Sequence, residues 1–198
     1  MRIMSTVGIY FVSMRTRGLS MPRFRQNKSS SVPAAKTLHA QMSEAVASGD
    51  RDTLRKICSS ELFQTLAGVI DSRPKTLKTE WELVKYTNKW RYPRLADFRV
   101  AYQPLPGTKN MRLIKQAVVS ISSVQKLTRY NNGVLVPGSG EEKEMLEHIV
   151  LQAEVDTSTW VSEPWKVWGN LSEMPYEQIR DDAIMFAEAM ATRSRSQA

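Results

Sequence analysis

The 198-residue sequence is poor in the side chains that most often carry chemistry. Its one cysteine, Cys58, excludes an intrachain disulfide and a metal site built from cysteines alone. Its two histidines, His39 and His148, leave little for a histidine-based metal cluster. The sequence also lacks a glycine-rich loop with the lysine that binds phosphates, and a run of about 18 apolar residues that would predict a membrane-spanning helix. These absences favour a binding or structural protein over an enzyme.

The few candidate catalytic residues have simpler explanations. His39 falls on a basic helix that we expect to be exposed. Cys58 falls on an apolar helical stripe, where a packed core thiol is the expected role. His148 follows a run of glutamates that predicts a solvated acidic face, comprising Glu141, Glu142, Glu144 and Glu147. We therefore predict a protein without enzymatic activity, with no catalytic residue, no metal site and no cofactor.

Acidic residues are absent from the first 43 positions, which contain seven lysines and arginines. Arginine-rich, serine-rich and acid-free sequence is typical of a mitochondrial targeting segment, because import depends on a positively charged amphipathic helix. Residues 1–33 also contain Gly18, Pro22 and Pro33 and no sustained apolar period. We predict a basic N-terminal tail or targeting-like extension over residues 1–33. The alternative is a disordered basic tail.

The charge of the remaining chain is divided along its length. Residues 51–130 contain 16 basic and six acidic side chains, whereas residues 131–198 contain five basic and 12 acidic ones. A basic half suits a polyanion such as RNA, or an anionic membrane surface. The simpler alternative is that these surface charges only keep the domain soluble.

The apolar period changes from helical to alternating along the chain. Three helices are predicted from residue 34 to Arg73, with Gly49 ending the first and Asp50 capping the second. Strands are predicted over residues 94–105, 115–127, 147–157 and 160–171, and residues 81–84 suit either a short helix or a strand start. A closing helix is predicted over residues 175–192.

This order predicts an α+β fold, in which N-terminal helices pack on a curved antiparallel sheet of about four strands. The shape expected is an NTF-two-like cone with an additional C-terminal helix. The predicted domain comprises residues 34–174, and residues 175–198 form the C-terminal helix and tail.

One stretch has the composition of a nucleic-acid-binding surface. Lys85–Arg94 interleaves four cations with three aromatic residues, and such a mixture suits phosphates and unstacked bases. The alternative is that Trp90 and Tyr92 are core residues of a strand whose cations face solvent. The candidate nucleic-acid-binding residues are Arg15, Arg17, Arg23, Arg25, Lys28, Lys89, Trp90, Arg91, Arg94, Arg99, Arg112, Lys115, Lys126 and Arg129.

The helical part of the sequence resembles a known mitochondrial domain. Gly49–Cys58, followed by Leu62 and Leu66, resembles the helical opening of a domain that two kinds of protein share. They are the inner-membrane import-motor tether and the large-subunit mitoribosomal protein forty-five, whose fungal members are membrane-associated mitoribosome receptors.

The strand region carries the more specific part of this resemblance. Trp81 with Tyr92–Leu95 resembles the family's step into its first long strand. Lys115–Gln125 resembles a strand of the fungal members, although relatives carry arginine where this chain has Ser120. Glu163–Gly169 resembles the final strand, and the whole match covers roughly residues 36–172.

The resemblance implies an NTF-two-like cone without catalytic activity, near the peptide exit of the mitochondrial large ribosomal subunit. Its implied partners are the large-subunit rRNA, neighbouring mitoribosomal proteins, the inner-membrane surface, the insertion machinery and the nascent chain. The implied location is the mitochondrial matrix, peripheral to the inner membrane. Two alternatives stay open: an import-motor-type tether or adaptor, and a small NTF-two-like enzyme.

Overall fold

The structure, a computed structural model, describes residues 26–104 and 111–171. A single 3-10 turn and three α-helices precede six β-strands, so the predicted α+β class is confirmed. The sheet has two more strands than the four expected. The elements are a 3-10 turn at Lys28–Ser30, α1 at Ser31–Ser48, α2 at Arg51–Ile57, α3 at Ser60–Asp71, β1 at Leu77–Tyr86, β2 at Arg94–Pro104, β3 at Met111–Asn131, β4 at Val134–Leu135, β5 at Glu142–Val155 and β6 at Lys166–Leu171.

The helix boundaries follow the capping residues of the sequence. Gly49 ends α1 with a φ of 80°, a left-handed conformation that side chains with a Cβ rarely adopt. The Asp50 carboxylate then accepts hydrogen bonds from the backbone N–H groups of Asp52 and Thr53, both at 3.1 Å. Both predicted caps are confirmed, and they turn the chain sharply between α1 and α2.

The sheet is antiparallel and is organised around β3. In 21 residues, β3 pairs along one edge with β1 near its C-terminal end and with β2 near its N-terminal end. Its other edge pairs with β5, which pairs in turn with β6. The short strand β4 folds back onto the end of β3. Because β1 and β2 share one edge of β3, the segment that connects them leaves the sheet near the middle of that edge.

The core lies between the helices and one face of the sheet. Alternate residues of β3, namely Ala117, Val119 and Ile121, pack with residues of β5, β6, α1 and α2. Cys58 is buried among them, and burial raises the pKa of its thiol to about 11. The expected packed core thiol is therefore confirmed. A smaller cluster at the far end of the sheet contains Val100, Leu113, Val155 and Trp160.

Several strand boundaries differ from those the sequence predicted; β3 runs from Met111 to Asn131 and β5 from Glu142 to Val155. The segment that suited either a helix or a strand belongs to β1, which runs from Leu77 to Tyr86. The last strand begins at Lys166 rather than at residue 160, because Asp156 starts a turn first. The Asp156 carboxylate accepts hydrogen bonds from Ser158 and Thr159, which lower the pKa of Asp156 to about 2.

Two predicted segments lie wholly or mostly outside the described residues. They are the basic tail over residues 1–33, of which the structure describes only 26–33, and the closing helix over residues 175–192. The first helix begins at Ser31, three residues before the predicted start. Within residues 26–104 and 111–171, no helix is both long enough and apolar enough to cross a bilayer.

Candidate functional site

The connection between β1 and β2, together with Arg94 at the start of β2, forms an ordered turn over residues 87–94 that we call the β1–β2 turn. Asn88 adopts a left-handed conformation with a φ of 50°, which asparagine tolerates better than most residues. Its carbonyl oxygen accepts hydrogen bonds from the N–H groups of Arg91 and Tyr92, both at 2.9 Å. Thr87 donates its own N–H to the carbonyl oxygen of Ser122 on β3 at 2.9 Å. The turn is thus held internally and against the central strand.

Trp90 lies in this turn with its side chain fully in solvent. Its relative exposure is 103%, so the alternative that Trp90 is a core residue is wrong. Lys89, Arg91 and Arg94 are exposed as well, and none of them forms an ion pair with any residue in the described ranges. The structure therefore brings together three cations and one indole ring that are available to a partner.

Tyr92 organises two of these cations. The guanidinium carbon of Arg94 lies 5.5 Å from the centre of the Tyr92 ring, and that of Arg91 lies 5.9 Å from it. Such contacts favour the cation through the negative face of the ring. Tyr92 is partly buried, so its ring positions both arginines while Trp90 stays uncovered.

Two other predicted cations are already paired. Arg99 Nε lies 2.6 Å from a carboxylate oxygen of Asp97. Arg112 pairs with Glu154 and also donates to Gln103 at 2.9 and 3.1 Å. Their charge is partly neutralised within the fold, which makes them weaker candidates for phosphate contacts than the cations of the β1–β2 turn.

Lys115 was predicted to bind nucleic acid, and the structure places it elsewhere. Its exposure is 2%, because it shares the helix-facing side of β3 with Ala117. Its ammonium lies 4.9 Å from the centre of the Trp165 ring, and burial lowers its pKa. A lysine in this position does not present its charge at the surface.

The remaining predicted residues are dispersed. Lys28 places its ammonium 5.4 Å from the centre of the Phe98 ring, beside the start of α1. Lys126 lies between Glu82 and Glu142 in the sheet register. Arg129 lies near the C-terminal end of β3. Four further arginines lie outside the described residues: Arg15, Arg17, Arg23 and Arg25.

Ser120, which stands where the family that the sequence resembles has arginine, is buried. It pairs with Arg94 of β2 and with His148 of β5 across the sheet. Its hydroxyl lies 2.9 Å from Nδ1 of His148. An RNA contact at Ser120 itself is therefore excluded by burial, and the cation next to it in the sheet is Arg94.

A cleft of about 610 Å³ lies between the helices and the end of the sheet that β4 extends. Apolar side chains dominate its lining, among them Val69, Trp81 and Leu127. Arg73 lies at this cleft and donates to the carbonyl oxygens of Val46 and Ala47, at 2.7 and 3.2 Å. Arg73 therefore caps the C-terminal end of α1 through one nitrogen of its guanidinium group.

Sequence reasoning missed a buried polar cluster next to this cleft. His39 was expected to be exposed, and Glu147 was expected on a solvated face, but their side chains are 0% and 15% exposed. His39 Nε2 lies 2.9 Å from a carboxylate oxygen of Glu147. Gln125 donates to the same oxygen at 2.5 Å, and Trp81 donates its indole N–H to Gln125 at 2.8 Å. Both expectations are wrong.

A sequence signal for this cluster existed. Glu147 has the same parity as Ile149 and Leu151 on β5, which places it on the face toward the helices. His39 follows buried Ala35 by four residues on α1, so both lie on one helix face. The periodicity thus predicts burial at both positions, although polar side chains more often face solvent.

The electrostatics of Glu147 follow from its position. Burial by itself would raise the pKa of its carboxyl. Hydrogen bonds from His39, Gln125 and Asn170, together with the electrostatic interaction with His39, outweigh that effect and hold the pKa below its ordinary value of 4.5. The pair fastens α1 to β5 and does not line the cleft, which only Trp81 and Gln125 of this cluster reach.

Comparison with known protein families found no matching family model. The chain is similar to "Uncharacterized protein C13G7.11" of Schizosaccharomyces pombe, with 26% identity over 144 residues. That match covers 72% of this chain and 47% of the yeast protein, so the chain spans about half the length of this relative. Among solved structures, the intermembrane space region of the chloroplast protein ARC6 matches 71% of this chain and 94% of its own. It does so with a TM-score of 0.38 and 12% identity.

Proposed function

We propose that this protein is a structural constituent of the mitochondrial large ribosomal subunit near the peptide exit. In this proposal its basic half binds rRNA, and the protein helps to dock the ribosome at the inner membrane for co-translational insertion of nascent chains. Neighbouring mitoribosomal proteins, the membrane surface and the insertion machinery would be its other partners. It would act in the mitochondrial matrix, peripheral to the inner membrane, and without catalysis.

The observation that carries the proposal is the set of unpaired charges on the β1–β2 turn. Lys89, Arg91 and Arg94 are exposed within six residues and lack acidic partners among the described residues. Binding to RNA releases counterions from phosphates, so clustered free cations contribute affinity that does not depend on sequence. Paired cations such as Arg112 contribute less, because a phosphate has to compete with Glu154.

The family resemblance supports the fold that this proposal requires. Its more specific segments, Lys115–Gln125 and Glu163–Gly169, lie in β3 and at the entry to β6, beside the helices. We infer that the three helices and the sheet form an NTF-two-like cone, with the cleft at its wide end and a C-terminal helix beyond residue 174. The basic tail over residues 1–33 would act as a targeting segment or as a further RNA contact.

Sedimentation of a mitochondrial lysate through a detergent gradient at moderate salt tests the proposal. We expect the protein to migrate with the large ribosomal subunit. Replacing Arg91 and Arg94 by glutamine should shift part of it to the top of the gradient and lower the slope of affinity against salt by about 1.4, or 0.7 per charge.

The matched control removes two exposed cations far from the β1–β2 turn, through Lys56→Gln and Lys75→Gln. This variant has the same net charge as the test variant and should still migrate with the subunit. Migration of the wild-type protein in a membrane complex free of ribosomes would refute the proposal and favour an import-motor-type tether. Full co-sedimentation of the Arg91→Gln, Arg94→Gln variant in high salt would show that the β1–β2 turn is not the RNA surface.

A further inference from the structure

The indole ring of Trp90 is a flat aromatic surface without a partner in the described fold. Its 103% exposure means that no side chain within residues 26–104 and 111–171 covers either face of the indole. The neighbouring aromatic ring, Tyr92, is occupied by Arg91 and Arg94. An exposed tryptophan on an ordered turn leaves a flat aromatic face that a planar ligand can cover.

The positive charges around Trp90 favour a ligand that carries negative charge. Lys89 and Arg91 are its immediate neighbours in the chain, and consecutive Cα atoms lie 3.8 Å apart. A nucleotide stacked on the indole therefore has the phosphates on both of its sides within reach of long cationic side chains. Arg94 adds a third cation on the same turn.

The geometry favours an unpaired base over a duplex. In A-form RNA the bases are stacked on each other, and the deep, narrow major groove keeps side chains away from them. Bases in loops, bulges and single strands expose their flat faces, and aromatic side chains bind them with little dependence on sequence. One ring on a short turn matches one flipped-out or single-stranded base.

A membrane surface fits the β1–β2 turn less well. Interfacial binding depends on a sizeable apolar area, and Trp90 is flanked by Asn88, Lys89 and Arg91 rather than by apolar residues. A lone ring among charges provides stacking area but little insertion.

We propose that the β1–β2 turn binds an unpaired RNA base by stacking it on Trp90, while Lys89 and Arg91 contact the adjoining phosphates. This inference rests on the proposed function and specifies the form of RNA that this surface takes. With this contact, the β1–β2 turn would distinguish unpaired from paired RNA. The other cations would bind RNA electrostatically and without dependence on sequence.

The test uses the full-length chain with two labelled probes, a uridine oligonucleotide of about 12 nucleotides and a blunt RNA duplex of similar length. Trp90→Leu keeps an apolar side chain but removes the π-face. We expect it to weaken oligonucleotide binding about 10-fold and to leave duplex binding and the salt slope unchanged. Trp168→Leu is the matched control, because Trp168 is also exposed but lies on β6 without flanking arginines, and it should bind both probes normally.

Each outcome decides between the two proposals. If Trp90→Leu binds the oligonucleotide normally while Arg91→Gln with Arg94→Gln weakens both probes, base stacking is refuted and RNA binding stands. If neither variant changes binding to either probe, both proposals fail for this surface. If Trp90→Ala loses binding to vesicles of anionic phospholipid while Trp90→Leu retains it, and RNA binding is unaffected in both, the turn is a membrane contact instead.

Discussion

Replacing His39 by leucine should destabilise the fold strongly, because it leaves the Glu147 carboxylate without one of its hydrogen-bond partners. Removing one member of a buried ion pair costs about 3–5 kcal/mol. Glu147 keeps the hydrogen bonds from Gln125 and Asn170 and is 15% exposed, so the effect should lie at or below the lower limit of that range. We expect a loss of about 2–3 kcal/mol in the free energy of unfolding, which lowers Tm by about 5–10 °C.

Urea unfolding of His39→Leu, Glu147→Gln and the double variant measures the coupling between the two side chains. We expect a coupling free energy of at least about 1 kcal/mol. The exposed pair Lys78–Glu80 provides the control cycle, which should show no measurable coupling because both side chains are largely solvated. If the His39–Glu147 cycle gives no more coupling than this control, the pair does not fasten α1 to β5.

The same pair predicts a pH dependence with a defined sign. The pKa of Glu147 is lower in the folded protein than its ordinary value of 4.5, so the folded state binds fewer protons than the unfolded state. This contribution to stability is complete above pH 4.5 and is lost as the pH falls through the folded pKa. Glu147→Gln should flatten the acid limb of the stability profile. An unchanged acid limb would contradict this assignment.

Further predictions concern residues of the core and the helix ends. The Cys58 thiol is buried and its pKa is raised to about 11. It should therefore react with an alkylating reagent at pH 8 only at the rate of unfolding. Rapid labelling of the folded protein would contradict its burial. Gly49→Ala should cost about 1 kcal/mol, because it places a Cβ at a φ of 80°, whereas Gly68→Ala within exposed α3 should stabilise by up to about 1 kcal/mol. Equal changes for the two glycines in urea unfolding would refute the conformational argument.

Local chemistry made parts of the fold predictable from the sequence. Gly49 and Asp50 act on the backbone within three residues of themselves, so their capping roles need no tertiary information. The strand predicted over residues 115–127 lies inside the longer β3, because alternation of apolar residues reports burial directly. The strand ends were missed where alternation fades into polar, exposed sequence.

The candidate site was harder to predict, because it depends on three-dimensional partners. Lys115 has the parity of a core position, and only the Trp165 ring, distant in sequence, explains how a lysine is accommodated there. Trp90 lies in the turn that begins after β1 with the left-handed Asn88, and such a turn leaves no regular alternation from which its exposure could be read. The composition of Lys85–Arg94 indicated a candidate binding stretch. Which of the predicted cations are paired with acidic residues depends on neighbours in the fold, such as Asp97 and Glu154.

The hydrogen bond between His39 and Glu147 closes a separation of 108 residues, and this has a consequence for synthesis. Helix α1 leaves the ribosome first, yet the strand that fastens it is made more than 100 residues later. At about 5–20 residues per second, the helix waits roughly 5–20 seconds with its apolar face exposed. The N-terminal helices therefore cannot complete this contact until β5 is available and pairs with β3.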